Sequence, residues 1–493
     1  MERHTSTTNV PPVWNAVYAP NDEEAGLSHP TVMEVVTRHG SAQTHQAVGG
    51  KQRMWARLLG KDRRKVSWRD SGRAIIFSSW LNVLLIIVPF AWAAHLKGTW
   101  GHGATFALCF LAIIPLEKLF DWGGDQLALY CGADLGDLIV ITLNNAVEAT
   151  LAIILLVRCE LKLLQSTIVG VVLLHTLLIP GTAFLTGGAR IWEQELHPNR
   201  SQLNHSLLMV GVLALVIPAG FFAAIDKGVP ATGAGADSLI SDDLRQDFLR
   251  MGRGFAIILL FVYVCSRFYI HDPPGDNNAF RPTPNTPGED VKKELELEDE
   301  EPEVNPWACM ILLAITVSLM GVTAEFLVDS IEFVREEAKI EEEWFGLILL
   351  PIVSFSADGT VAVVFFIRSC FSHYFRAPQP PKLAAEARAI DLSIQFLLFW
   401  MPLVTLLAWW SDKPLSLLFD LFEVSVIIGS CFLVNYVTAD AKTNWAEGII
   451  LVAFYVMIAL SAWYYTGQPE IRVMTACESI AAAVVDPNIP AGE

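Results

Sequence analysis

Long apolar runs separated by polar blocks organise the chain, starting near Ala74, Ala104, Leu138, Thr167, Ser206, Gly254, Trp307, Gly346, Leu392, Leu415 and Ala446. Each extends for about 17 to 25 residues, the length an α-helix needs to cross a bilayer, so about eleven transmembrane helices are predicted. Inside lipid every backbone N–H and C=O must be satisfied within the protein, and unbroken apolar runs achieve this as helices. The predicted fold class is an all-α polytopic membrane protein: one leading helix plus two inverted five-helix repeats.

The repeat is visible at an offset of 210 residues, where Ala149-Thr-Leu-Ala-Ile-Ile-Leu-Leu-Val-Arg158 lies over Gly359-Thr-Val-Ala-Val-Val-Phe-Phe-Ile-Arg368 without a gap. Glu148 then lies over Asp358, and the pair Glu117 and Asp121 corresponds to Glu325 and Asp329, both four apart on one helix face. A half with an odd number of spans ends on the side opposite its start, so the second half is inverted relative to the first, a transporter pattern. The predicted organisation is a tail over 1–73, the leading helix over 74–98, a first repeat over 103–270, an acidic linker over 271–306, a second repeat over 307–466 and a tail over 467–493.

Composition agrees with the pattern: of 493 residues, 53% are hydrophobic and 17% charged. The net charge of -18 comes largely from loops such as Glu289 to Glu303. Before the first span, the basic stretch from Lys51 to Arg73 places the N-terminus in the cytosol by the positive-inside rule. No apolar signal precedes it, so the first helix does the targeting. The glycosylation patterns at Asn199 and Asn204 then fall on the cytosolic side and are expected to stay unmodified. The 8 cysteines show no metal or disulfide spacing and read as core packing. The run Glu332 to Glu343 reads as a solvated luminal surface.

Chemistry concentrates on two acids. Glu148 and Asp358 are each the lone charge near the middle of an apolar span. A central ionised acid costs roughly 2.5 to 3.5 kcal/mol to insert, so each needs a cation, a proton or a polar cavity. Asn144, Asn145 and Thr142 surround the first acid, and Ser354, Ser356 and Thr360 the second. Hard oxygen donors without thiolates suit a calcium-like cation, and the same carboxylates take protons. Candidate metal ligands are therefore Glu148, Asp358, Asn145, Ser354 and Ser356. His175 reads as a proton relay, a cation-repelling group or a core residue, and Asp391 as a gate acid or an interfacial residue. Glu325 and Asp329 are placed along the pathway, since charges in spans face the bundle interior.

The segments Ser78-Ser-Trp-Leu-Asn-Val-Leu-Leu85, Asn145-Ala-Val-Glu148, Glu325-Phe-Leu-Val-Asp-Ser-Ile-Glu332, Gly346-Leu-Ile-Leu-Leu-Pro-Ile-Val353, Ser393-Ile-Gln395 and Asn444-Trp-Ala-Glu-Gly448 carry a resemblance across nearly every span. Together they make the chain resemble the calcium/proton exchangers of the cation/calcium antiporter superfamily, the vacuolar type of fungi and plants. That resemblance implies calcium as transported ion, protons as counter-ion, a vacuolar membrane location and no cofactor. The candidate proton and ion pathway comprises Glu117, Glu325, Asp329, His175, Ser393 and Gln395. The chain departs from the family pattern at Asn144, at Leu174-His175, at Ser354 to Gly359 and at Asp391-Leu392. These departures motivate two alternatives: a paralogue with altered cation selectivity, or a membrane scaffold that does not transport. No nucleotide loop or nucleophile constellation supports an enzyme, nothing points to nucleic acid, and oligomeric state is not legible.

Overall fold

The computed structural model describes residues 66–98, 100–131, 133–188, 194–196, 198–226, 241–271, 301–353, 355, 356, 359, 385–478 and 480. They are almost entirely helical. α1 (Trp68–Phe77) stops at a pair of serines, and the Ser79 side chain accepts from the Leu81 N–H to start α2 (Trp80–Lys97). The first apolar run is thus an amphipathic helix followed by a span, not one rod from Ala74.

The remaining helices are α3 (His102–Cys131), α4 (Ala133–Asn144), α5 (Ala146–Arg158), α6 (Leu161–Gly187), α7 (Pro198–Asp226), α8 (Asp242–His271) and α9 (Pro306–Ala338). After them come α10 (342–353), α11 (385–410), α12 (Leu421–Val437), α13 (Trp445–Trp463) and α14 (Pro469–Thr475). Among the described residues 8 helices are long and apolar enough to cross a membrane, and the α4–α5 pair, bent by 47°, makes up to 9. α12 is a shorter apolar helix, and α10 leads into residues outside the described set. The expectation of about eleven spans is therefore not reached by the described helices alone.

The outside of the bundle is apolar, with Val83, Ile86, Phe90, Phe261 and Phe432 exposed. Such a surface is solvated by lipid rather than water. Lipid is as apolar as leucine, so the helices are held by close packing more than by water exclusion. α3 and α9, the opening helices of the two halves, pack along one another, with α2 against both. α6 runs through the interior, buried at every position from Leu161 to Leu173. It crosses α10 where Gly170 faces the Leu347 carbonyl and Gly346 faces Ser166, whose Cβ lies 2.7 Å from where a Gly346 side chain would begin. Any larger residue at either glycine would separate the two backbones.

Three of these rods change pitch for one turn. π-turns occupy Leu174–Leu178 in α6, Phe345–Leu349 in α10 and Phe396–Trp400 in α11. Each ends two residues before a proline: Pro180, Pro351 or Pro402. Proline has no N–H and its ring crowds the carbonyl four residues earlier, so the preceding turn widens to i→i+5 bonding.

The two ends of the bundle are tied separately. At one end the strands β1 (Gln194–Glu195) and β2 (Lys442–Thr443) pair antiparallel, joining the loop after α6 to the loop before α13. At the other end Cys159 and Cys477 form a disulfide spanning 318 residues, and Arg245 donates to the Ala476 and Glu478 carbonyls. This corrects the reading of all cysteines as packing residues. No local spacing could have signalled a pairing so distant in sequence.

Candidate ion-binding centre

The break between α4 and α5 falls at Asn145 and places Glu148 in the first turn of α5. A helix N-terminus carries partial positive charge and unsatisfied N–H groups, which favours a carboxylate there. Glu148 is 2% exposed, and the π-turn of α6 brings His175 to it, with Nε2 4.0 Å from Glu148 Oε1. Histidine and carboxylate thus meet in the buried middle of the protein.

Asn145 joins the halves. Its Nδ2 donates to Gln395 Oε1 at 2.8 Å and to the Leu392 carbonyl at 3.3 Å. Gln395 Nε2 donates in turn to Thr142 Oγ1 and to the Tyr263 hydroxyl, both at 2.9 Å. The amide hydrogens of Asn145 and Gln395 are therefore spent, while Asn145 Oδ1 is buried with no hydrogen-bond partner among the described residues. A buried amide oxygen left open beside a carboxylate fits an oxygen-ligated cation, because leaving it empty costs about 1 to 3 kcal/mol.

The other predicted residues are distributed as follows. Ser393 is buried on α11, near Gln395 in sequence, and its hydroxyl lies 3.5 Å from the Ala389 carbonyl. Asp391 is buried on the same helix, and Glu117 is buried on α3. Ser356 turns its hydroxyl back to the Ile352 carbonyl at 2.7 Å. Ser354 and Asp358 lie outside the described residues. Glu325 and Asp329 do not join Glu148: both meet Arg158 Nη2 at 2.9 Å, at the far end of α5. That is roughly 15 Å along the helix from Glu148, at about 1.5 Å rise per residue.

One cluster escaped the sequence reading. Lys162, in the first turn of α6, is buried with Glu343 and Glu423 from the second half. Glu343 is 1% exposed, which corrects its assignment to a solvated surface. The available signal was a lysine just inside an apolar run, Leu161-Lys-Leu-Leu-Gln165. Close by, Glu160 sits outside the spans; burial, then the Glu342 and Glu332 charges, push its carboxyl up, while Arg335 opposes them.

The profile of the family described as sodium/calcium exchanger protein matches residues 101–270 and 308–464. A vacuolar calcium ion transporter of Cryptococcus neoformans is 33% identical over 472 residues, covering 81% of this chain and 76% of that protein. A Ca2+/H+ antiporter of Synechocystis is 28% identical, covering 78% of this chain and 96% of its own length. The solved structure of native YfkE superposes with a TM-score of 0.57 at 21% identity, covering 78% of this chain and 100% of that one, a likeness of fold. The two matched segments fall on either side of the acidic linker.

Proposed function

The chain belongs to the sodium/calcium exchanger protein family, and from that premise we propose that it is a vacuolar calcium/proton antiporter. Calcium enters from the cytosol, binds at Glu148 and leaves to the lumen, and protons take the same carboxylate for the return. The observation that carries this reading is the buried Glu148 at a broken helix, beside the open Asn145 oxygen and bridged to the second half through Gln395. Asp358, the repeat partner of Glu148, supplies the second charge needed to neutralise a divalent ion.

Competition at one site is sufficient for exchange when the site opens to one side at a time and does not cross empty. The Asn145–Gln395 bridge gives that alternation a physical element, since it must stretch or re-form as one half moves against the other. His175 receives the proton displaced from Glu148 or returns it. The basic stretch before α2 sets the tail and the linker in the cytosol. The end carrying Arg158, Lys162 and the Cys159–Cys477 disulfide is then luminal, in keeping with the compartments where disulfides persist.

Reconstituted protein in vesicles acid inside should take up calcium, and Glu148→Gln should abolish uptake while the protein still folds. Uptake that survives this substitution removes Glu148 from the mechanism, and an inert wild type favours the scaffold. A second reading, altered ion choice, is favoured by Leu174-His175 standing where the family has Ser-Asn, with His175 beside Glu148. Manganese outcompeting calcium in the same vesicles would establish it.

A further inference from the structure

Lys162, Glu343 and Glu423 gather the starting ends of α6, α10 and α12. Lys162 Nζ lies 3.2 Å from Glu343 Oε1 and 3.2 Å from Glu423 Oε1, and the three side chains are 4%, 2% and 1% exposed. His175 is farther along α6 by roughly 20 Å at about 1.5 Å per residue, so this cluster is separate from Glu148. One ammonium faces two carboxylates in a dry site, and an unbalanced buried charge is strongly disfavoured.

Hydrogen counting resolves the imbalance. Ser166 Oγ lies 2.7 Å from Glu343 Oε2 and 2.6 Å from Glu423 Oε1, with a longer approach of 3.3 Å to the Lys162 carbonyl. A hydroxyl has one hydrogen to donate, so it serves only one of two short carboxylate contacts. The other contact needs a hydrogen from the acid itself. Glu423 already accepts from Lys162 and, through Oε2, from the Asp420 N–H at 3.3 Å. Glu343 has fewer donors, and the Gly467 backbone, held at φ +82°, closes over its Oε1. The arrangement that gives a hydrogen to both short Ser166 contacts runs from a protonated Glu343 to Ser166 and from Ser166 to an ionised Glu423, the latter paired with Lys162.

We propose that Glu343, Ser166, Glu423 and Lys162 form a second proton-binding site, whose single proton holds together the luminal ends of α6, α10 and α12. Asp420 accepts from the Phe422 N–H at 2.9 Å, the Gln468 N–H at 2.8 Å and the Tyr465 hydroxyl at 2.6 Å. Burial, then the hydrogen bond and charge of Asp420, push the Tyr465 phenol up, so it remains a donor. Glu342 faces outward to Arg335 and Arg472.

Burial, then the neighbouring Glu423, push the Glu343 carboxyl up, while Lys162 and Ser166 oppose them. A carboxyl whose folded pKa exceeds its unfolded one binds its proton more tightly when folded. Its stabilisation is full below the unfolded value and is lost as pH rises through the folded one. The luminal end is therefore held most firmly when the lumen is acidic and loosens as it neutralises. The luminal address rests on the proposed topology; the proton does not.

Infrared difference spectra of the purified full-length protein, recorded while pH is raised, test this without transport. A protonated-carboxyl band should disappear on alkalinisation, be absent in Glu343→Gln and persist in Glu148→Gln. Ser166→Ala keeps both acids but should shift the band, which covers the case in which the first variant does not fold. A band that persists unchanged in Glu343→Gln, or one unmoved in Ser166→Ala, overturns the proposal. Failure of calcium uptake alone leaves this site standing and removes only the antiport reading.

Discussion

Arg158 and Lys162 stand four positions apart at the same end of the bundle, and each meets two carboxylates of the second half. Arg158 binds Glu325 and Asp329 on α9 with 43%, 50% and 31% of the three side chains exposed. Lys162 binds Glu343 and Glu423 with almost nothing exposed. The same ratio of charges thus exists once open and once dry, and solvent decides what it does. An open excess of negative charge is screened and costs little. A dry excess must be cancelled by a proton or by structure.

The sharpest break in this comparison is Lys162→Met, which leaves the buried, ionised Glu423 without its counter-ion. It should cost about 3 to 5 kcal/mol, read as a large drop in the detergent melting temperature, and adding Glu423→Gln should recover much of it. A loss no larger than that of Arg158→Ala would erase the distinction. Next in size is the covalent tie beside both clusters. Cys159→Ser should cost about 2 to 4 kcal/mol without altering the pH dependence of melting, because the disulfide holds no proton.

Arg158→Ala should cost only about 0 to 1 kcal/mol in the same assay. Salt gives the smallest effect and separates the two most cleanly. Raising ionic strength from about 0.1 M to about 1 M shortens the screening length from about 10 Å to about 3 Å. The energetic difference between wild type and Arg158→Ala should then shrink, while that between wild type and Lys162→Met should hold. If both differences shrink together, water reaches Lys162 and the dry description fails.

The centre around Glu148 was legible because its signals are local. A lone acid in an apolar run, an adjacent asparagine and a matching segment 210 residues later all lie within short windows of sequence. The Asn145–Gln395 bridge was legible only as two separate residues, since the contact spans 250 positions. Glu343 was misplaced for a physical reason: it closes an acidic run, and runs of like charge ordinarily face water. Its burial follows from the close crossing of α6 and α10 at Gly170 and Gly346. Cys159 and Cys477 likewise carry no hint of one another until α14 is docked.

By itself the sequence determined that the chain is a membrane bundle in two related halves, because a bilayer imposes its demand on each segment separately: enough apolar residues, with backbone bonds satisfied within the helix. It also marked Glu148, since a charge there is expensive wherever its neighbours lie. Which charges meet, and whether water reaches them, was decided only by tertiary packing. Lys162 and Arg158 read alike in sequence, and only the placement of α9, α10 and α12 around them leaves one open and the other dry.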